Sequence, residues 1–157
     1  MTDFVLQRLL DQLGQLLRAN PQLYISVNLA ACDVMVPRIG EVIADLLRVH
    51  RVSARQIAFE VTERGLIDVV VARDNLQALR NVGHQVLIDD FGTGYCSLAY
   101  LQTLPVDCLK IDKAFIDAWA MMPPAAAWRR ISSAWPCVAL AGDRRRYRVR
   151  APGSAAQ

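Results

Sequence analysis

Short apolar runs alternate with amphipathic stretches of about ten residues, a rhythm that places this chain in the α/β class, on a parallel sheet. The runs are nearly continuous in apolar residues, as strands are when both faces of a sheet are covered. Each run also delivers a polar residue at or just past its carboxyl end: Asn28, then Glu60 and Glu63, then Asp89 and Asp90, then Lys110 and Asp112. In a (β/α) barrel those ends converge on one face, where the chemistry sits. A doubly wound sheet gathers them only across its switch-point crevice. Four successive strands feeding one site favour the barrel, with about half of its strands in this chain.

The first helix runs from Phe4 to Leu17, with Val5, Leu9, Leu10, Leu13, Leu16 and Leu17 at helical spacing. Asn20-Pro21 ends it, because the residue before a proline is pushed out of the α region. Leu23 to Leu29 (LYISVNL) reads as the first strand. Pro37 opens a helix to about His50, with Ile39, Val42, Ile43, Leu46 and Leu47 on one face. Gln56 to Val61 (QIAFEV) is the second strand. A helix over Ala72 to Val82 is stopped by Gly83. Gln85 to Ile88 is the third strand and leads into Asp89. A short helix from Ser97 to Leu104 closes at Pro105, Asp107 to Ile111 is the fourth strand, and a further helix begins at Ala114.

The bulk properties set limits on function. With 157 residues, 54% hydrophobic and 21% charged, the chain has the composition of an ordinary globular domain. No apolar run approaches the roughly 20 residues that span a bilayer, and no secretory signal is visible, so a cytoplasmic location is expected. The four cysteines, Cys32, Cys96, Cys108 and Cys137, are scattered away from metal or redox spacings and read as reduced, structural thiols. His50 and His84 read as ordinary helix-end and turn residues. The net charge of +3 is unevenly distributed. Residues 1–118 hold 11 Lys+Arg and 14 Asp+Glu, whereas residues 119–157 hold seven arginines and one acid, Asp143. Residues 119–157 are therefore expected to be a basic tail unrelated to what precedes it, either frameshifted or disordered. An allowed codon choice for Leu140 to Arg146, read one nucleotide over, gives a strand-like Ser-Leu-Ala-Ile-Val-Ala followed by an acid. A tail that binds nucleic acid or an anionic membrane competes with this reading. Arg-rich tails are more often merely solvated, so no nucleic-acid partner is expected.

Asn28, Glu60, Asp89 and Asp90 are all hard oxygen donors, suited to Mg²⁺ or Mn²⁺. Adjacent aspartates at a strand end repel unless a cation neutralises them. Two metals about 4 Å apart would activate water and clamp a phosphate there. Lys110 is placed to orient the nucleophile or stabilise developing negative charge. Together these residues describe hydrolysis of a phosphodiester. Helix caps and satisfied barrel-mouth groups are the plainer alternative for any one of them. Asp90-Phe91-Gly92-Thr93-Gly94-Tyr95 adds a glycine-containing loop that allows close backbone approach to a ligand, or a tight turn before a short helix.

Three stretches, VNLA (Val27–Ala30), FEVTE (Phe59–Glu63) and IDDFGTGYCSLAYLQTLPVDCLKID (Ile88–Asp112), resemble the EAL family of cyclic di-GMP phosphodiesterases. The resemblance covers residues 4–118. It implies a partial TIM-like (β/α) barrel and hydrolysis of cyclic di-GMP to linear pGpG, dependent on Mg²⁺ or Mn²⁺. By the same resemblance Asn28, Glu60, Asp89 and Asp90 are metal ligands and Lys110 contacts the catalytic water. Glu63 helps hold the glycine-containing loop, which in the family couples substrate binding to dimerisation, so a homodimer through the loop after Asp90 is implied. Cys96 stands where the family usually has serine.

The departures from the family are as informative as the match. The family's Glu-Ala-Leu motif, whose glutamate is a metal ligand, precedes the segment that starts here at Phe4, and the chain has no such tripeptide. There are three glutamates, Glu41, Glu60 and Glu63, so the family's later ones, including the Ala-Glu-Gly-Val-Glu type of motif, have no counterpart. The domain thus reads as truncated at both ends and this chain as inactive or impaired. The alternative is a non-catalytic module that binds cyclic di-GMP or a partner protein.

Overall fold

The computed structural model of the chain describes residues 1–62, 69–91 and 103–112, and the backbone of 138–140. It comprises α1 (Thr2–Ala19), β1 (Ile25–Asn28), α2 (Ala31–Val34), α3 (Ile39–His50), a 3₁₀ turn (Ala54–Gln56), β2 (Ile57–Thr62), α4 (Val69–Val82), β3 (Gln85–Phe91), β4 (Cys108–Ile111) and β5 (Val138–Leu140). The strands form one sheet in the order β1-β2-β3-β4-β5, every neighbouring pair parallel. Sequential order without a reversal is the winding of a barrel wall. A doubly wound sheet reverses direction at its switch point.

Alternation along the strands separates two faces. Ile57, Phe59, Val61, Val86, Ile88, Leu109 and Ile111 lie in one buried cluster with the helix residues Leu6, Leu10, Leu17, Ile43, Leu47, Leu76 and Leu79. The alternate positions, Ala58, Leu87 and Cys108, form a second, smaller cluster with Tyr24. The helices therefore cover one side of the sheet, and the other side is the concave, barrel-interior face.

Most boundaries follow the sequence. α1 ends at Ala19, and Asn20 closes it by donating its backbone N–H to Leu16 and Leu17 carbonyls and its side-chain amide to Leu16 O at 2.9 Å. The buried stripe of α1 is Leu6, Leu10 and Leu17 with Gly14 between them, whereas Val5, Leu13 and Leu16 are exposed. Two overlapping apolar stripes fit this helix, and the sheet selects one. α4 stops at Gly83, whose φ of +114° suits glycine alone. Gly83 N–H bonds Arg80 O and His84 N–H bonds Leu79 O, the double closure of a Schellman cap. α2 is a single turn that the sequence does not announce. The 3₁₀ turn delays β2 to Ile57.

Polar staples hold the amino ends of the strands. Gln56, 5% exposed, donates its side-chain amide to the carbonyls of Leu17, Asn20 and Leu23 at 2.8, 3.1 and 3.0 Å, tying the end of α1 to β2. Arg80, in the last turn of α4, binds both carboxylate oxygens of Asp107, with the shortest contact at 2.7 Å. Asp107 Oδ2 also accepts the Val86 N–H at 2.9 Å, so one acid joins α4, β3 and the start of β4. In barrels this face carries stability and the opposite face carries chemistry.

Two strands depart further from the sequence expectation. β3 runs three residues past Ile88, to Phe91, and includes both aspartates. β5 lies parallel beside β4, with Leu109, Lys110 and Ile111 paired to Val138, Ala139 and Leu140, in a stretch where the sequence suggests no strand. The expected helices over Ser97–Leu104 and from Ala114 lie outside the described residues, save for Thr103 and Leu104. So does the basic tail apart from 138–140. No helix among the described residues is long and apolar enough to cross a membrane.

Candidate active site

The carboxyl ends of β1 to β4 bring most of the expected polar residues onto the concave face. Asn28 ends β1 in register with Glu60 of β2, and Thr62 at the end of β2 is in register with Asp89 of β3. Glu60 shares its face with Ala58, as Lys110 does with Cys108, because residues two apart on a strand point the same way.

A bulge puts two consecutive aspartates at the site. Ile88 pairs with Leu109 and Phe91 with Ile111, so β3 spends one residue more than β4 over the same distance. Ile88 and Phe91 both sit in the helix-side core. In a regular strand, residues three apart face opposite sides; the extra residue restores Phe91 to the side of Ile88. Asp89 and Asp90 together occupy the interval that one concave-facing residue would fill. Asp90 takes the irregularity, with φ of +54°, a left-handed backbone that aspartate tolerates better than most residues.

Lys110 joins three strands. Its Nζ donates to Glu60 Oε2 at 2.8 Å and lies 2.9 Å from Asp89 Oδ1. Asp89 Oδ1 also accepts the Asp90 backbone N–H at 3.0 Å. All three side chains are largely buried, with 23%, 13% and 18% of Lys110, Glu60 and Asp89 exposed. Burial works to lower the pKa of the Lys110 ammonium, but its bonds to Glu60 and Asp89 and their charges outweigh that effect. The value lies above the usual 10.5.

The donor chemistry is oxygen throughout: an amide at Asn28 and carboxylates at Glu60, Asp89 and Asp90, which fits a hard divalent cation. Glu60 and Asp89 converge on one cationic position, the Lys110 ammonium. Among the described residues, no three His, Cys, Asp or Glu side chains form a ready-made ion cage. Glu63 and the loop Gly92–Tyr95 lie outside the described residues. The sequence shows the donors but not the bulge, whose one signal is the odd spacing of two core residues, Ile88 and Phe91, around the aspartate pair.

A family model described as EAL domain matches residues 1–133. The Escherichia coli (strain K12) protein named "Probable cyclic di-GMP phosphodiesterase PdeB" is 41% identical over 118 residues, 75% of this chain and 23% of that protein. The structure titled "PaMucR Phosphodiesterase, c-di-GMP complex" matches with a TM-score of 0.71 and 29% identity, covering 88% of this chain and 59% of that one. The EAL domain of Mycobacterium smegmatis DcpA matches with a TM-score of 0.70 and 29% identity, over 85% of this chain and 62% of that one. The chain thus spans about a quarter of the curated relative and about three-fifths of each solved domain. With a family model matched over residues 1–133 and a solved EAL domain sharing the fold, this chain belongs to the EAL domain family.

Proposed function

We propose that the strand-end residues are part of a cyclic di-GMP phosphodiesterase site, that the family reaction is hydrolysis to linear pGpG, and that this chain by itself is inactive or impaired. The carrying observation is the bonding of Glu60, Asp89 and Lys110, from three adjacent strands, at the carboxyl edge of the sheet. Asn28, Glu60, Asp89 and Asp90 hold Mg²⁺ or Mn²⁺, which when bound activates water and neutralises phosphate charge. The Lys110 ammonium holds the attacking water and offsets negative charge on the phosphate oxygens. Glu63 braces the loop after Asp90, and two copies of the chain pair through that loop. Impairment follows from the acids that this sequence does not supply. It has no Glu-Ala-Leu tripeptide and no glutamate after Glu63.

The test is release of pGpG from cyclic di-GMP with Mg²⁺ or Mn²⁺, beside a binding titration of cyclic di-GMP. Binding with little or no turnover is expected, and Asp89→Asn should weaken the metal-dependent part of the binding. Turnover that Asp89→Asn abolishes overturns the impairment. A non-catalytic cyclic di-GMP-binding or protein-interaction module is the second reading, favoured by the same missing glutamates. It gains if binding persists in Asp89→Asn and needs no metal.

A further inference from the structure

We infer that Lys110 is a resident counter-ion for the strand-end acids, and that its ammonium must leave Glu60 Oε2 and Asp89 Oδ1 before a divalent cation can bridge the two acids through those oxygens. This rests on the metal-site reading above. The Nζ atom lies 2.8 Å from Glu60 Oε2 and 2.9 Å from Asp89 Oδ1, so it engages one oxygen of each acid. Asp89 Oδ1 additionally holds the Asp90 N–H at 3.0 Å, which fixes that carboxylate on the bulge. Two carboxylates from neighbouring strands at this depth repel unless a positive charge lies between them. Lys110 supplies that charge from the chain itself and keeps the acids in place on the sheet.

The choice of lysine matters. Its ammonium rides on a flexible four-carbon stem and can turn away by rotamer changes alone, with β4 unmoved. The cost falls on metal affinity. A cation bridges Glu60 Oε2 and Asp89 Oδ1 only in the fraction of molecules whose lysine has turned away, and the apparent affinity of that mode falls by that fraction. A lysine that served only to hold water would stay in place when the metal binds, and Mn²⁺ would leave its amine as shielded as before.

The experiment measures Mn²⁺ binding by calorimetry on the whole chain and on Lys110→Met and Lys110→Arg, with thermal unfolding in EDTA. Lys110→Met should bind Mn²⁺ about tenfold or more tightly than the parent, the factor by which an occupied site lowers affinity. It should also unfold at lower temperature in EDTA and recover with Mn²⁺, whereas Lys110→Arg should unfold in EDTA like the parent. A second measurement uses the parent chain alone: acylation of lysine amines, read by mass spectrometry. Lys110 should react slowly in EDTA and faster at saturating Mn²⁺, and this arm decides the matter if Lys110→Met does not fold. Equal Mn²⁺ affinity in parent and Lys110→Met, or Lys110 acylation unmoved by saturating Mn²⁺, overturns the counter-ion role and leaves the metal site standing. Absence of Mn²⁺ binding to every variant overturns the metal site itself.

Discussion

His84 is the clearest case of a single side chain whose protonation the fold controls. It is 3% exposed, its Nδ1 donates to Ile57 O at 2.9 Å, and its ring meets Phe59 edge-on with centroids 4.9 Å apart. Its Nε2 is buried without a partner among the described residues. Burial, partly opposed by the Ile57 and Ala54 carbonyls, holds its pKa below the usual 6.5. The unfolded chain therefore binds a proton near pH 6.5 that the folded chain refuses until lower pH. Stability is unaffected above that value and falls as the pH drops through the window beneath it. Urea midpoints between about pH 5 and 8 should decline more steeply in the parent chain than in His84→Gln. Parallel curves would show that the ring titrates freely.

α4 closes on Gly83, whereas α3 closes on Arg51. Arg51 has φ of +54°, its N–H bonds Arg48 O, and Val52 N–H bonds Leu47 O, so an arginine fills a position that favours glycine. Replacing it with glycine removes a left-handed penalty of roughly 1 kcal/mol for a residue with a Cβ. Because the entropy glycine adds to the unfolded chain offsets part of that gain, Arg51→Gly should add up to about 0.5 kcal/mol of stability, read as a higher urea midpoint. An unchanged or lower midpoint would mean that the Arg51 side chain contributes something its cap geometry hides. These same elements mark what a sequence can disclose. The period of two or 3.6 exposes strands and helices, and strand ends expose Asn28, Glu60, Asp89 and Lys110. Register is not periodic, so the Lys110 bonds to Glu60 and Asp89, separated by 50 and 21 residues, cannot be read from one strand at a time. The bulge hides for the same reason, since polar Asp89 and Asp90 look like the end of a strand that in fact continues to Phe91. β5 is three residues long amid alanine, arginine and proline, too short for any period to show.

The sheet has an end at β1 that no strand among the described residues covers. β1 is short, and its concave-side residues Ser26 and Asn28 are exposed. An uncovered parallel edge offers a row of backbone donors and acceptors to another copy, and natural edges are commonly protected by an inward-pointing lysine or other charge. β1 has no charged residue between Ile25 and Asn28, and Ser26, in register with Ala58, is where such a charge would sit. The chain alone is therefore expected to associate as its concentration rises, by sedimentation velocity. Ser26→Lys should shift it toward the monomer without altering its circular dichroism. That variant also separates two modes of association, because pairing through the loop after Asp90 makes no use of the β1 edge and would persist in Ser26→Lys. A chain that stays monomeric at every concentration would show that segments beyond the described strands already cover this edge.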